Sequence, residues 1–344
     1  MAQAALPQPP VPLPVIIDTD PGIDDMLAIT LALNSPELAV RGLSVSYGNT
    51  VVENAYRNAV AILRAAGRRV PLAVGARRPL RRPLVVASET HGESGLGYAA
   101  LPPAGVIFDF VTSLERLLAA QPEPVTLVTL GPVTSLALAL RRDPDLVRAK
   151  VARHVAMVGT ITARGNTTPF SEFNAWCDPE ALDAVLRAEL PSELVGLDVT
   201  RQFVVSGPDI ERLGRAATPR ALWLRDALRF YTEFHRQYEG LDGCVVNDVV
   251  AVAALVRPEA LVWREERIAV DLEDGEHRGQ TRVDPNGARV RVATEIKLPA
   301  IRALLSERVF RWAATPDAEP SVFLSPPPPP PPPNTQAPSA TAHA

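Results

Sequence analysis

The residues best suited to chemistry lie near the start of the chain: Asp18-Thr19-Asp20-Pro21-Gly22-Ile23-Asp24-Asp25. They follow the apolar run Val15-Ile16-Ile17 and lead into a segment with Leu27 and Leu31 at helical spacing. Four carboxylates packed this closely repel one another, so a cation is their natural partner. An all-oxygen set suits a hard ion, Ca2+ or Mg2+. Helix capping would use one or two of these aspartates and leave the others without a role. Gly22 allows a tight turn and Pro21 stiffens it. An EF-hand is excluded, because the twelfth position of such a loop, where a bidentate Glu is required, is Ile29.

The elements that must hold these residues follow a βα rhythm. Val15–Ile17 reads as a buried strand ending at Asp18, with a helix after it. Leu38–Val45 reads as a strand, Val52–Ala66 as a helix, Val125–Leu130 as a strand, and Pro132 opens a helix through Leu140. His154–Val158 and Leu194–Val199 read as further strands. Asp178-Pro179 is an N-cap followed by proline at the first helical position. This alternation predicts an α/β fold with a mainly parallel central sheet flanked by helices. Ile268–Leu272 and Ala288–Ala293 are β-type runs separated by Asp274-Gly275 and Asn286-Gly287, which predicts a small antiparallel addition near the C-terminus.

Composition bounds the rest. The chain has 344 residues, 47% of them hydrophobic, with 35 Lys and Arg against 39 Asp and Glu. A net charge of −4 carries no basic surplus for a phosphate backbone, so no nucleic-acid partner is expected. Cys177 and Cys244 form neither a disulfide framework nor a zinc pattern and fit reduced thiols. No span for a membrane and no secretory leader is read, so the expected location is cytoplasmic. Residues 1–14 read as a flexible segment, 15–316 as a single catalytic domain, and 317–344 as a disordered tail around the proline run Pro326–Pro333.

Further motifs extend the first one. Val15-Ile16-Ile17-Asp18-Thr19-Asp20-Pro21-Gly22-Ile23-Asp24-Asp25 resembles the N-terminal signature of the inosine–uridine preferring nucleoside hydrolase family. Tyr47-Gly48-Asn49-Thr50, Thr90-His91-Gly92 and Thr129-Leu130-Gly131-Pro132-Val133-Thr134 resemble its next motifs in order. Gly165-Asn166, Glu172-Phe173-Asn174-Ala175 and Asp178-Pro179-Glu180-Ala181 resemble its ribose-binding stretch. Gly240-Leu241-Asp242-Gly243 with Asn247-Asp248 resembles its last metal motif, and Arg278-Gly279-Gln280-Thr281 and Arg291-Val292-Ala293-Thr294 its C-terminal strands.

The resemblance implies hydrolysis of the N-glycosidic bond of ribonucleosides to ribose and free base, with Ca2+ as cofactor. It places the ion on Asp20, Asp25, Asp248 and the carbonyl of Leu130. It makes Asp20 the acceptor of a proton from water and Asn49 an orienting group for that water. Asp24, Asn166, Glu172 and Asn174 would grip ribose. It also implies a homodimer or homotetramer and a small-molecule nucleoside as the partner.

One departure bears on the leaving group. Many members carry His immediately before the last metal aspartate; here that position is Asn247, and a neutral amide is no general acid. His91 matches a base-side loop position. Tyr231, His235 and Tyr238 share one helix face at i, i+4 and i+7. His235 is therefore the candidate to protonate or hydrogen-bond the departing base, against a packing role for the same stripe. Two alternatives stand beside this reading. One is a non-catalytic calcium and ribose binder that has lost its acid. The other is a Mg2+-dependent dehalogenase-type phosphatase. The latter would need Thr or Val where Gly22 stands and a catalytic lysine that neither Lys150 nor Lys297 supplies convincingly.

Overall fold

The computed structural model describes residues 11–100 and 110–316. Of the N-terminal segment expected at 1–14, residues 1–10 lie outside the described residues and Leu13 and Pro14 already belong to the first strand; the tail expected at 317–344 lies outside them. Among the described residues there are twelve strands: β1 (Leu13–Thr19), β2 (Leu38–Val45), β3 (Leu72–Val74), β4 (Phe110–Val111), β5 (Val125–Thr129), β6 (Val151–Ala156), β7 (Ser192–Leu194), β8 (Val204–Ser206), β9 (Gly243–Val245), β10 (Leu261–Val270), β11 (Thr281–Val283) and β12 (Ala288–Ile296).

Ten of them form one sheet in the order β11-β10-β12-β7-β6-β5-β1-β2-β3-β4. The run from β12 to β4 is parallel, while β10 pairs antiparallel with both β11 and β12. The expected α/β sheet and its antiparallel addition are thus both present. β8 and β9 form a separate antiparallel pair that the sequence reading did not include.

The order fixes where a ligand can sit. From β1 the chain winds outward through β2, β3 and β4, then returns to the other side of β1 and winds through β5, β6 and β7. The strand order reverses between β1 and β5, and crevices open at such switch points beyond the carboxyl ends of the strands. Asp18 on β1 lies opposite Thr129 on β5 and Ser44 on β2. Backbone bonds continue the pairing one residue further: Leu130 N–H donates to Asp18 O at 2.8 Å and Ser46 N–H to Thr19 O at 2.9 Å. The acidic segment and Leu130 therefore leave the sheet side by side.

Two helices, Ile23–Leu33 and Asn247–Val256, pack against each other near this crevice. Every residue of the first, including Asp24 and Asp25, is buried. Its apolar pattern therefore covers all faces rather than the single face read at Leu27 and Leu31, as a helix enclosed by other elements requires.

The expected strand Leu194–Val199 is corrected. β7 ends at Leu194, and Leu197–Thr200 forms one helical turn. Gly196 ends the extended run, Leu197 N–H bonds to Gly159 O at 2.9 Å, and Thr200 N–H closes on Gly196 O at 3.1 Å. The alternating Leu197 and Val199 imitate a strand because both are buried. Asp178 caps its helix as expected, accepting Ala181 N–H at 3.1 Å.

Candidate active site

Asp20, Asp24, Asp25 and Asp248 converge beyond the carboxyl end of β1, all of them buried. Asp25 is anchored from three sides: it accepts Gly22 N–H at 2.9 Å, Asn49 Nδ2 at 2.8 Å and the Thr19 hydroxyl. Asp20 Oδ2 accepts Asn49 N–H at 2.6 Å, while its Oδ1 has no hydrogen-bond partner. The backbone N–H groups of Asn247 and Asp248, at the start of the second helix, favour the ionised form of Asp24 on the first. Asp248 is the second residue of its helix, not the N-cap.

Asp24, Asp25 and Asp248 each offer a carboxylate oxygen, all within 4.8 Å of one another. Asp24, expected on the sugar, thus stands among the expected metal ligands, with Asp20 near enough to repel both Asp24 and Asp25. Burial first, then the repulsion of Asp25 and Asp24, raises Asp20 well above the ordinary carboxyl range, and burial followed by the repulsion of Asp25 raises Asp24 to about 7. Burial and the repulsion of Asp24, Asp25 and Asp20 likewise raise Asp248. An orphaned buried oxygen amid mutually repelling carboxylates is the donor set a hard cation fits.

On one wall the groups expected to grip ribose are held by backbone. Glu172 is buried rather than solvated. Its carboxylate accepts N–H groups of Gly159, Asn174 and Ala175 at 2.8–3.0 Å, capping the short helix Phe173–Cys177. Burial raises it to about 7 against those three donors. Asn174 Nδ2 donates to the carbonyls of Leu130 at 2.7 Å and Met157 at 3.0 Å. Asn166 Oδ1 accepts Phe173 N–H at 2.9 Å. Asn49, Asn166, Glu172 and Asn174 line the same cleft as Asp24 and Asp248.

The opposite wall is aromatic. His91 and Tyr231 have ring centroids 5.1 Å apart, and Tyr231 and His235 meet edge to face at 4.5 Å. His91 Nδ1 accepts Ile23 N–H at 3.1 Å, so the neutral ring carries its proton on Nε2. His235 Nδ1 lies 2.8 Å from Tyr231 O and must donate to it, which leaves Nε2 to face the cleft. Burial and the neighbouring His235 depress His91 to about 3; burial also lowers His235. Tyr238 does not join this wall: it is 59% exposed and packs on Phe234. Asn247 lines the cleft beside them. Residues 15–303 match the family described as inosine-uridine preferring nucleoside hydrolase.

The chain belongs to that nucleoside hydrolase family. It is 37% identical over 312 residues to a pyrimidine-specific ribonucleoside hydrolase RihA of Citrobacter koseri, covering 88% of this chain and 99% of the relative. The corresponding RihA of Salmonella typhimurium is 37% identical over 311 residues, with 88% and 99% covered. Among solved structures, a plant nucleoside hydrolase, the PpNRh1 enzyme, superposes with a TM-score of 0.79 at 34% identity, covering 87% of this chain and 99% of that one. A purine-preferring ribonucleoside hydrolase from Gardnerella vaginalis superposes with a TM-score of 0.81 at 28% identity, with 88% and 99% covered. As a nucleoside hydrolase this protein is an N-glycosyl hydrolase acting on ribonucleosides. No helix among the described residues is long and apolar enough to cross a membrane.

The sequence reading missed Thr200, Arg201 and Leu197, which lie in or beside the cleft of this nucleoside hydrolase. Their segment had been read as strand or left unassigned, and nothing in their types signals a site. Phe234, also in the lining, stands one residue from His235 and was not singled out.

Proposed function

We propose that the protein cleaves pyrimidine ribonucleosides with a calcium ion bound by Asp20, Asp24, Asp25, Asp248 and the carbonyl of Leu130. The observation that carries this is the cleft itself: Asp24 and Asp248, backed by the buried Asp20 and Asp25 that repel them, share its lining with the imidazoles of His91 and His235 at the strand-order switch point. The ion, when bound, would supply a water that loses its proton more readily than bulk water.

The protein's own groups supply the rest. Asp20 is the base: Asn49 N–H fixes Oδ2 and Oδ1 is left to take a proton. Asn49 gives its amide nitrogen to Asp25, so its Oδ1 is available to orient the attacking water. Ribose sits against Asn166, Glu172 and Asn174. Because three N–H groups already occupy the Glu172 carboxylate, Glu172 also shapes the loop that carries Asn166 and Asn174. Bond breaking builds positive charge on the sugar, as in other glycoside cleavage, and the surrounding carboxylates stabilise it. His91, neutral, donates from Nε2 to the base; His235 delivers the proton. Nε2 carries that proton only in the charged ring, a strong acid that burial makes the minority form near neutral pH.

Two observations favour a pyrimidine: the RihA relatives carry that specificity in their name, and no tryptophan among the described residues lines the cleft to stack a purine. Cytoplasmic location and assembly as a homodimer or homotetramer belong to the same reading. The test is ribose release from uridine, cytidine, inosine, adenosine and thymidine, with calcium and with chelator. Chelator-sensitive release, fastest from uridine or cytidine and at least tenfold slower from thymidine, is expected, since losing a buried sugar hydroxyl contact leaves polar groups unpaired. Equal turnover of thymidine and uridine would remove the sugar contacts from the reading. Asn247 in place of His favours one second reading, a calcium-dependent binder. Nucleoside binding by calorimetry with no ribose release would establish that instead.

A further inference from the structure

Asn247 is held from behind. Thr200, fully buried at the end of the turn Leu197–Thr200, donates its hydroxyl to Asn247 Oδ1 at 2.8 Å. With the oxygen engaged, the amide's NH2 group has no protein partner among the described residues, and Asn247 lines the cleft. A hydroxyl can accept as well as donate, but the Thr200 hydroxyl is fully buried and has no other acceptor among the described residues, so an amide turned by half a turn would leave its proton unpaired.

We propose that Thr200 is a positioning residue that locks the Asn247 amide with its NH2 toward the nucleobase, so that Asn247 acts as a fixed donor to a base carbonyl beside the glycosidic nitrogen. The proposal rests on the nucleoside hydrolase reading above.

Thr200 is itself well placed to be rigid. Two residues earlier, Asp198 accepts the N–H groups of Ile161, Thr162 and Ala163 at 2.7–3.0 Å, together with the Thr162 hydroxyl. One residue later, Arg201 donates to Arg164 O at 3.1 Å and to Glu239 at 2.8 Å. The turn is thus fastened both to the loop that carries Asn166 and to the helix that carries Tyr231 and His235. Ile23 N–H plays the equivalent part for His91, since its bond to Nδ1 leaves Nε2–H as the group presented. The base wall therefore offers two donors whose orientation is set by the fold before substrate arrives. A base with carbonyl oxygens matches them; one that presented an amino group at the same edge would leave donor against donor.

The experiment compares Thr200→Val, which keeps the shape and loses the hydroxyl, with Thr200→Ser, which keeps the hydroxyl. Asn247→Ala and the double variant Thr200→Val/Asn247→Ala complete a cycle. Thr200→Val should lower kcat/KM on uridine about tenfold, the effect of one misoriented hydrogen bond. Thr200→Ser should stay within about threefold of wild type, and Thr200→Val should change the Asn247→Ala enzyme by less than about twofold. Losses that simply multiply, or a Ser variant as poor as the Val variant, would overturn the proposal.

A second readout does not depend on activity: the Asn247 side-chain amide in 15N–1H spectra, identified by its absence from Asn247→Ala. Two distinct, sharp NH2 protons are expected in wild type and Thr200→Ser, shifted or broadened in Thr200→Val. An amide indifferent to residue 200 would refute the contact. If the wild-type protein releases no ribose, the hydrolase reading fails while this spectrum still decides the role of Thr200. Thr200→Ala replaces the Val variant should that one not fold.

Discussion

The proton given to the departing base is the step at which Asn247 stands where the resemblance implies His, and the proposed donor is a single side chain. His235 keeps one nitrogen on the Tyr231 carbonyl and turns the other to the cleft. Replacing it with Phe preserves the edge-to-face contact with Tyr231 while removing the acid. Turnover of uridine should fall about 100-fold or more, within the usual range for losing a general acid. A p-nitrophenyl riboside, whose leaving group needs no proton, should be cleaved within a few-fold of wild type. Equal losses on both substrates would assign His235 to packing. Asn174 is the second residue whose role can be separated. Its amide nitrogen bridges the carbonyls of Leu130 and Met157, so it orients the carbonyl expected to face the ion. Asn174→Ala should raise the calcium concentration for half-maximal activity about tenfold, as loss of a group supporting a metal ligand does. An unchanged calcium requirement with weaker uridine binding would place Asn174 on the sugar alone.

At the scale of elements, the site depends on three chain segments leaving the sheet in contact. The loops after β2 and β5 both close on Asp20, and glycine stands at each point of closest approach. A Cβ at Gly131 would run into Asp20 Oδ1, and one at Gly48, where φ is +155°, would run into Oδ2. Asp20 has no room to retreat, because one glycine stands on each side of it. Gly131→Ala should therefore fold but lose ribose release by about 100-fold or more, with little gain in melting temperature on adding calcium; full activity would show that the loop after β5 yields instead. Elements of this kind were legible where local chemistry decides them. Val15–Ile17 announces a buried parallel strand, and Asp178-Pro179 announces a helix start through the cap it then makes. The turn Leu197–Thr200 was not legible, because its Leu and Val alternate as a strand would, and only the distant Gly159 carbonyl and the Gly196 cap decide otherwise. Among site residues, the carboxylates near β1 were legible from their crowding. Thr200 was not, since a buried threonine acquires its role from a partner 47 positions away.

For the whole molecule, placing the acidic cluster at the strand-order reversal buries it, and that burial ties stability to protons and to the ion together. Without a cation, Asp24 moves from 3.8 to about 7 on folding, and Asp20 and Asp248 move in the same direction. A carboxyl whose folded pKa is raised contributes stability that is complete below its unfolded pKa and is lost as pH rises through the folded one. For Asp24 that window runs from 3.8 to about 7. His154 works the other way: buried between Thr129 and Ser192, it is lowered from 6.5 to about 4, so its contribution is present above 6.5 and is lost as pH falls through about 4. A plain melting curve against pH would mix the two. The difference between melting temperatures with calcium and with chelator, taken at each pH, cancels the part of the His154 contribution that is common to both samples. A bound ion keeps the cluster ionised, so it must displace protons at low pH and displaces fewer as the pH rises. The calcium-induced rise in melting temperature should therefore be small at pH 5 and grow by about 5 °C or more by pH 8. A rise of the same size at both pH values would mean that these carboxylates do not exchange protons for the ion, and that the cation sits elsewhere.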